Sequence, residues 1–196
     1  MDDKIQQKIA EAARAEYGWK VEEVRTDEVE RLRRSSCSFY TAANAVRPLS
    51  YQANYAVLPG DEVIGISDPD AAGKILDTCS AGARADWWAE IITRFHGDLS
   101  GGIVLADEQV RPDITRKLIQ AGMKFTPPAF SDDKQSVSFL LLQPETYILY
   151  RVQATRSAGG PIQVVTTKLL LNATAAKPTS QLSPGDAMNS IREMLR

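Results

Sequence analysis

The one histidine of the chain, His96, stands two residues before Asp98 in Phe95-His96-Gly97-Asp98, and the two cysteines are Cys37 and Cys79. A thiol nucleophile needs a base, and the base needs a third group to fix its tautomer. The catalytic arrangement to weigh is therefore His96 oriented by Asp98, with Cys37 or Cys79 as nucleophile. The local settings argue against it. Cys79 falls near the C-terminal end of a predicted helix, where the dipole disfavours a thiolate, and Cys37 opens a predicted strand. Neither has the helix N-terminal position that lowers a thiol pKa. The expectation is two free, buried thiols and a helix-terminal histidine stabilised by the dipole. One histidine and two cysteines also fall short of a four-cysteine or two-Cys, two-His zinc site, so no metal and no cofactor is expected.

Gly97-Asp98-Leu99-Ser100-Gly101-Gly102 has the glycine density of a phosphate loop. Such a loop runs from a strand into a helix and uses the helix N-terminus, whereas this one leaves a helix and enters a strand, without a Gly-Lys-Ser/Thr ending. It reads as a helix stop. Trp87-Trp88 is less ordinary, because adjacent helical residues point about 100° apart and do not share one narrow apolar stripe. With Trp88 aligned to Ile91, Ile92 and Phe95, Trp87 is expected at the margin of the packed face, where it packs, lines a cleft, covers the sheet edge or joins a subunit contact. Tyr40, Asn44, Tyr51, Asn54 and Tyr55 give the first β-rich stretch an amphipathic character. A concave sheet lined by these tyrosines and Arg151 would hold a small ligand. The ligand-binding candidates are thus Trp87, Tyr40, Tyr51, Tyr55, His96 and Arg151. Glu22-Glu23 and Asp132-Asp133 lie on polar faces or in turns, and no general acid or base is assigned. Asn172-Ala173-Thr174 reads as a chance match to a glycosylation triplet.

The elements that must position these residues follow from periodicity. Ile5, Ile9, Ala12, Ala13 and Tyr17 form a helical stripe ended by Gly18. A short strand is expected around Val21 and Val24, and residues 26–34 fit either a strand or a helical turn. Cys37–Val46, Tyr51–Leu58 and Glu62–Ile66 alternate as strands between turns at Arg47-Pro48 and Pro59-Gly60-Asp61. Asp68-Pro69 opens a helix with the stripe Ala72, Ile75, Leu76 and Cys79, and a third helix begins near Asp86. Gly101–Leu105 gives a short strand, and Pro112 starts a helix ended by Gly122. Lys124–Thr126, Gln135–Leu142, Thr146–Thr155 and Ile162–Leu171 then read as strands. Along the third of these, Ile148, Tyr150 and Val152 share one face, Tyr147, Leu149 and Arg151 the other, and both faces are partly apolar.

Helices cluster in the middle and strands flank them, so the expected class is α+β, a curved, mainly antiparallel sheet with helices packed on one face. Residues 1–171 are read as one domain, with a subdivision near 80–85 as the alternative. Residues 172–183 have linker composition, and 184–196 form a docking helix with the stripe Met188, Ile191 and Leu195.

Across 196 residues, 43% hydrophobic and 24% charged residues describe a chain with a real core. A net charge of −2 lacks the basic excess that phosphate backbones demand, so nucleic acid is not an expected partner. No apolar run approaches the roughly 18 to 20 residues needed to span a bilayer. The acidic, polar start Met1-Asp2-Asp3-Lys4 is unlike a secretory signal, and the expected location is cytoplasmic. Three functions fit: a non-catalytic module holding a small molecule or protein partner between a curved sheet and its helices, an enzyme using that same pocket, or a structural homo-oligomer subunit. A homodimer is expected in particular, through the C-terminal segment.

Overall fold

The structure, a computed structural model, describes residues 3–18, 20–27, 29, 32, 35–46, 49–79, 84–156 and 161–169. Helix α1 (Asp3–Tyr17) leads into strands β1 (Glu23–Thr26), β2 (Ser38–Val46), β3 (Leu49–Val57) and β4 (Val63–Gly65). Helices α2 (Ala71–Cys79) and α3 (Ala85–Phe95) follow, then β5 (Ile103–Val104), α4 (Pro112–Gln120), β6 (Ala129–Phe130), β7 (Ser136–Gln143), β8 (Ile148–Arg156) and β9 (Ile162–Leu169). The class is α+β with antiparallel pairing throughout, and the strands divide into two sheets. The first has the order β1-β2-β3-β4; the second has the order β5-β7-β8-β9, with β6 also on β7.

Both faces of each sheet are used. Ile9 and Ala13 of α1 pack on Tyr40, Ala42, Ala53, Tyr55 and Val57, one face of the first sheet. Phe39, Ala56, Leu58 and Ile64 on its other face join α2, α3 and Val137, Phe139, Leu141, Val152 and Ala154 of the second sheet in one continuous core. Ile114 and Leu118 of α4 cover Leu140, Leu142 and Leu149 on the far face of that sheet. Each sheet therefore carries helices on both faces: α1 opposite the shared core on the first, α4 opposite it on the second. Helices on two sides, rather than the one side expected, follow from strands that are apolar on both faces: alternation gives each strand two faces, and each apolar face needs a cover.

Helix α3 packs on β5, β6 and β7 of the second sheet and on α2, and both of its tryptophans are buried in this core. Trp88 meets Phe130 of β6 edge-on with ring centroids 5.2 Å apart, while Phe95 meets Phe39 of β2 at 6.2 Å. With α2 beside it as well as the second sheet, α3 buries two adjacent large residues, so Trp87 is in the main core rather than marginal. Two ionic links tie the layers further. Arg94 of α3 pairs with Asp27, just after β1, and with Glu90 one turn back, and Arg156 of β8 pairs with Asp77 of α2.

The expectation of free thiols is overturned: Cys37 and Cys79 form a disulfide, with Cα atoms 5.4 Å apart. The chain reversal of β2–β4 brings the end of α2 back to the start of β2, where the Ser35 hydroxyl donates to the Cys79 carbonyl and accepts from the Cys37 N–H. The stretch Lys124–Thr126 is not a strand; after α4 the pairing with β7 is made by Ala129–Phe130 instead. Within 26–34, β1 ends at Thr26, and the Leu32 N–H donates to the Val29 carbonyl as in a helical turn. The linker and docking helix expected over 172–196, with Asn172, lie outside the described residues.

Candidate functional site

Helix α3 covers the β5, β6 and β7 side of the inner face of the second sheet and then stops. His96 takes an extended conformation as its cap, a single 3-10 turn spans Gly97–Leu99, and Gly101 turns the chain with φ +81° into β5. This is the helix stop read from the glycine-rich stretch, and the left-handed φ suits a glycine. Gly102 makes the approach to the sheet close, since a Cβ there would lie 2.6 Å from Leu141 Cδ1. The turn thus rests directly on β7.

Beyond the end of α3 the sheet face is open, and a groove of about 210 Å³ lies over it. Asp98 and Leu99 of the turn form one wall. Leu141 and Gln143 of β7, Tyr150 of β8 and Val164 and Thr166 of β9 supply the rest. The strand residues share this face because the register aligns Leu141 with Tyr150, Val152 with Thr166 and Ala154 with Val164. The lining combines an exposed carboxylate, an amide, a phenol and a hydroxyl with three aliphatic side chains. It holds no histidine and no cysteine. Its volume is below the roughly 300–1,000 Å³ of pockets that enclose a whole small-molecule ligand, and suits a group the size of one side chain.

The six residues singled out from sequence do not meet at one place. Tyr40 and Tyr55 are directly opposite each other in the β2–β3 register, but on the face that α1 fills. The Tyr55 hydroxyl donates to Glu16 Oε2 at 3.0 Å, while Glu16 Oε1 accepts from the Ser67 N–H at 2.9 Å. Burial, then the adjacent Glu16 carboxylate, push the Tyr55 hydroxyl above its ordinary value, and burial together with Glu16 does the same to Tyr17. Tyr51 lies on the same face farther along β3 and is exposed. Trp87 is in the core, and Arg151 is exposed on the outer face of the second sheet, opposite Leu140 and Thr167 in register. His96 is half-buried beside the groove's turn; its Nδ1 is buried and, among the described residues, has no hydrogen-bond partner. No Cys37 or Cys79 thiol exists to work with it.

Asp98 was the one groove residue weighed from sequence as a chemical group. Gln143, Tyr150, Val164 and Thr166 were missed as a set because three separate strands carry them. The usable signal was the alternation that put Tyr150 on the face of Val152. Among the described residues no cluster of three or more His, Cys, Asp or Glu side chains is placed to hold a metal ion, and no helix is long and apolar enough to cross a membrane. Comparison with known proteins returns no matching family model, no matching curated protein and no matching solved structure.

Proposed function

We propose that the protein is a non-catalytic binding module whose groove, between the second sheet and the turn after α3, takes a side-chain-sized cationic group presented by a peptide partner. The observation that carries this reading is the lining itself: the exposed Asp98 carboxylate lines the groove together with the apolar Leu99, Leu141 and Val164, with Gln143, Tyr150 and Thr166 as hydrogen-bonding groups. An amine or guanidinium on an aliphatic stem matches that set, with its stem on the apolar side chains and its charge at the carboxylate. No reaction is part of the reading.

The same reading has the chain working as a homodimer, and the exposed outer strand of the second sheet supports it. The Cys37–Cys79 bond supports an oxidising compartment rather than the cytoplasm expected from the sequence, since reducing cytosol keeps such thiols free.

Selection of a random-peptide display library on the full-length chain tests the groove. Enriched peptides should carry Lys or Arg beside an apolar residue, and Asp98→Lys should weaken their binding at least about tenfold. Peptides that bind Asp98→Lys as tightly as the natural chain would place the binding elsewhere.

A further inference from the structure

The open edges of the two sheets differ greatly in length. β1 has four residues, β4 three, and β5 and β6 two each, whereas β9 presents eight residues along the edge of its sheet. Among the described residues no strand pairs with the outer side of β9. Gln163, Val165, Thr166, Thr167 and Lys168 are exposed, and Val165, at 64%, is the most exposed large apolar residue described. A long, β-branched, uncharged edge is what strand pairing with another chain requires, and proteins that avoid such pairing shorten or charge it. From Ile162 to Thr167 this strand carries no charge.

We infer that β9 is the seam of a homodimer, pairing antiparallel with β9 of the partner subunit about a twofold axis at Val165, so that the two grooves become one. The inference rests on the homodimer reading above and adds its location and its effect on the site. A twofold axis perpendicular to the sheet keeps each face continuous, so residues of like parity must oppose one another. Centred on Val165, this register sets Val165 against its own copy. It also sets Gln163 against Thr167 of the partner subunit and Val164 against Thr166 of the partner subunit.

Lys168 then faces Ile162 of the partner subunit, and no like charges are directly opposed. Val164 and Thr166 line the groove, whose outer side ends at β9. Their pairing continues the trough into its copy and completes the open side with residues of the second chain. A joined trough would receive two cationic side chains of one extended peptide, or one from each of two peptides.

Light scattering on the full-length chain and air oxidation of Val165→Cys test the seam. The expected results are a dimer mass, and Val165→Cys running as a cross-linked dimer on a non-reducing gel. Val165→Lys, at a position exposed in the single chain, should keep its melting transition and raise the dimer dissociation constant at least about tenfold. If Val165→Lys fails to fold, the cross-link alone decides. A dimer that neither cross-links at position 165 nor weakens with lysine there overturns the seam while leaving the homodimer reading in place. A monomeric chain overturns both, and neither result touches the Asp98 test of the groove.

Discussion

Cys37 and Cys79 lie 42 positions apart, and their approach depends on α2 returning its last turn to the start of β2. Closing a loop of that length removes chain entropy worth about 4 kcal/mol from the unfolded state, in the loop-entropy account. Replacing both cysteines with serine should therefore lower the unfolding free energy in urea by about that amount, and intact mass should show two hydrogens fewer in the natural chain than after reduction. Sequence gave the two cysteines but not their pairing, since nothing in local spacing says which way α2 runs back. Tyr55 makes a second residue-scale prediction. Its hydroxyl is neutral and bonded to Glu16 in the folded state, and its pKa is raised above the unfolded value of 10.0. The stability that this shift represents is fully present below about pH 10 and is lost as pH rises toward the folded value. The urea midpoint should fall as pH rises from about 10 to about 12, and Tyr55→Phe should make that fall shallower.

Among the elements, α3 packs on both α2 and the second sheet. Its stripe of Trp88, Ile91, Ile92 and Phe95 was legible from helical spacing, and all four are buried. What spacing did not carry was that α2 packs beside α3 on the same core, which takes in Trp87 as well. Trp88→Ala should cost about 3–5 kcal/mol in urea unfolding, the range for deleting a large aromatic from a packed site. Arg94 on the same helix faces the Asp27 and Glu90 carboxylates, whose side chains are 7% and 12% exposed. Arg94→Met removes the guanidinium that both carboxylates share, so a loss of about 3–5 kcal/mol is expected. Asp113→Asn, at the exposed pair with Arg111, should cost under about 1 kcal/mol in the same assay. Equal losses at the two sites would contradict the view that the Arg94 group ties the first sheet to the central helix.

At the scale of the whole molecule, two antiparallel sheets share one core through α2 and α3, and each has a further helix on its outer face. The succession of helix and meander was legible, because period and turn residues are local. The division into two sheets was not, because β4 and β5 are three and two residues long and give no pattern that says where one sheet ends. The groove depends on that division: it lies where α3 stops short of covering the second sheet, and its seven lining residues come from a turn and three strands. The measurement that tests this most directly is amide shift mapping on the isotope-labelled full-length chain, titrated with a display-selected peptide that carries one lysine beside an apolar residue. The largest shifts should fall on Asp98, Leu99, Leu141, Gln143, Tyr150, Val164 and Thr166, and Asp98→Lys should abolish them. Shifts centred on Tyr51 and the α1 face, or the same shifts persisting in Asp98→Lys, would contradict the groove as the binding site.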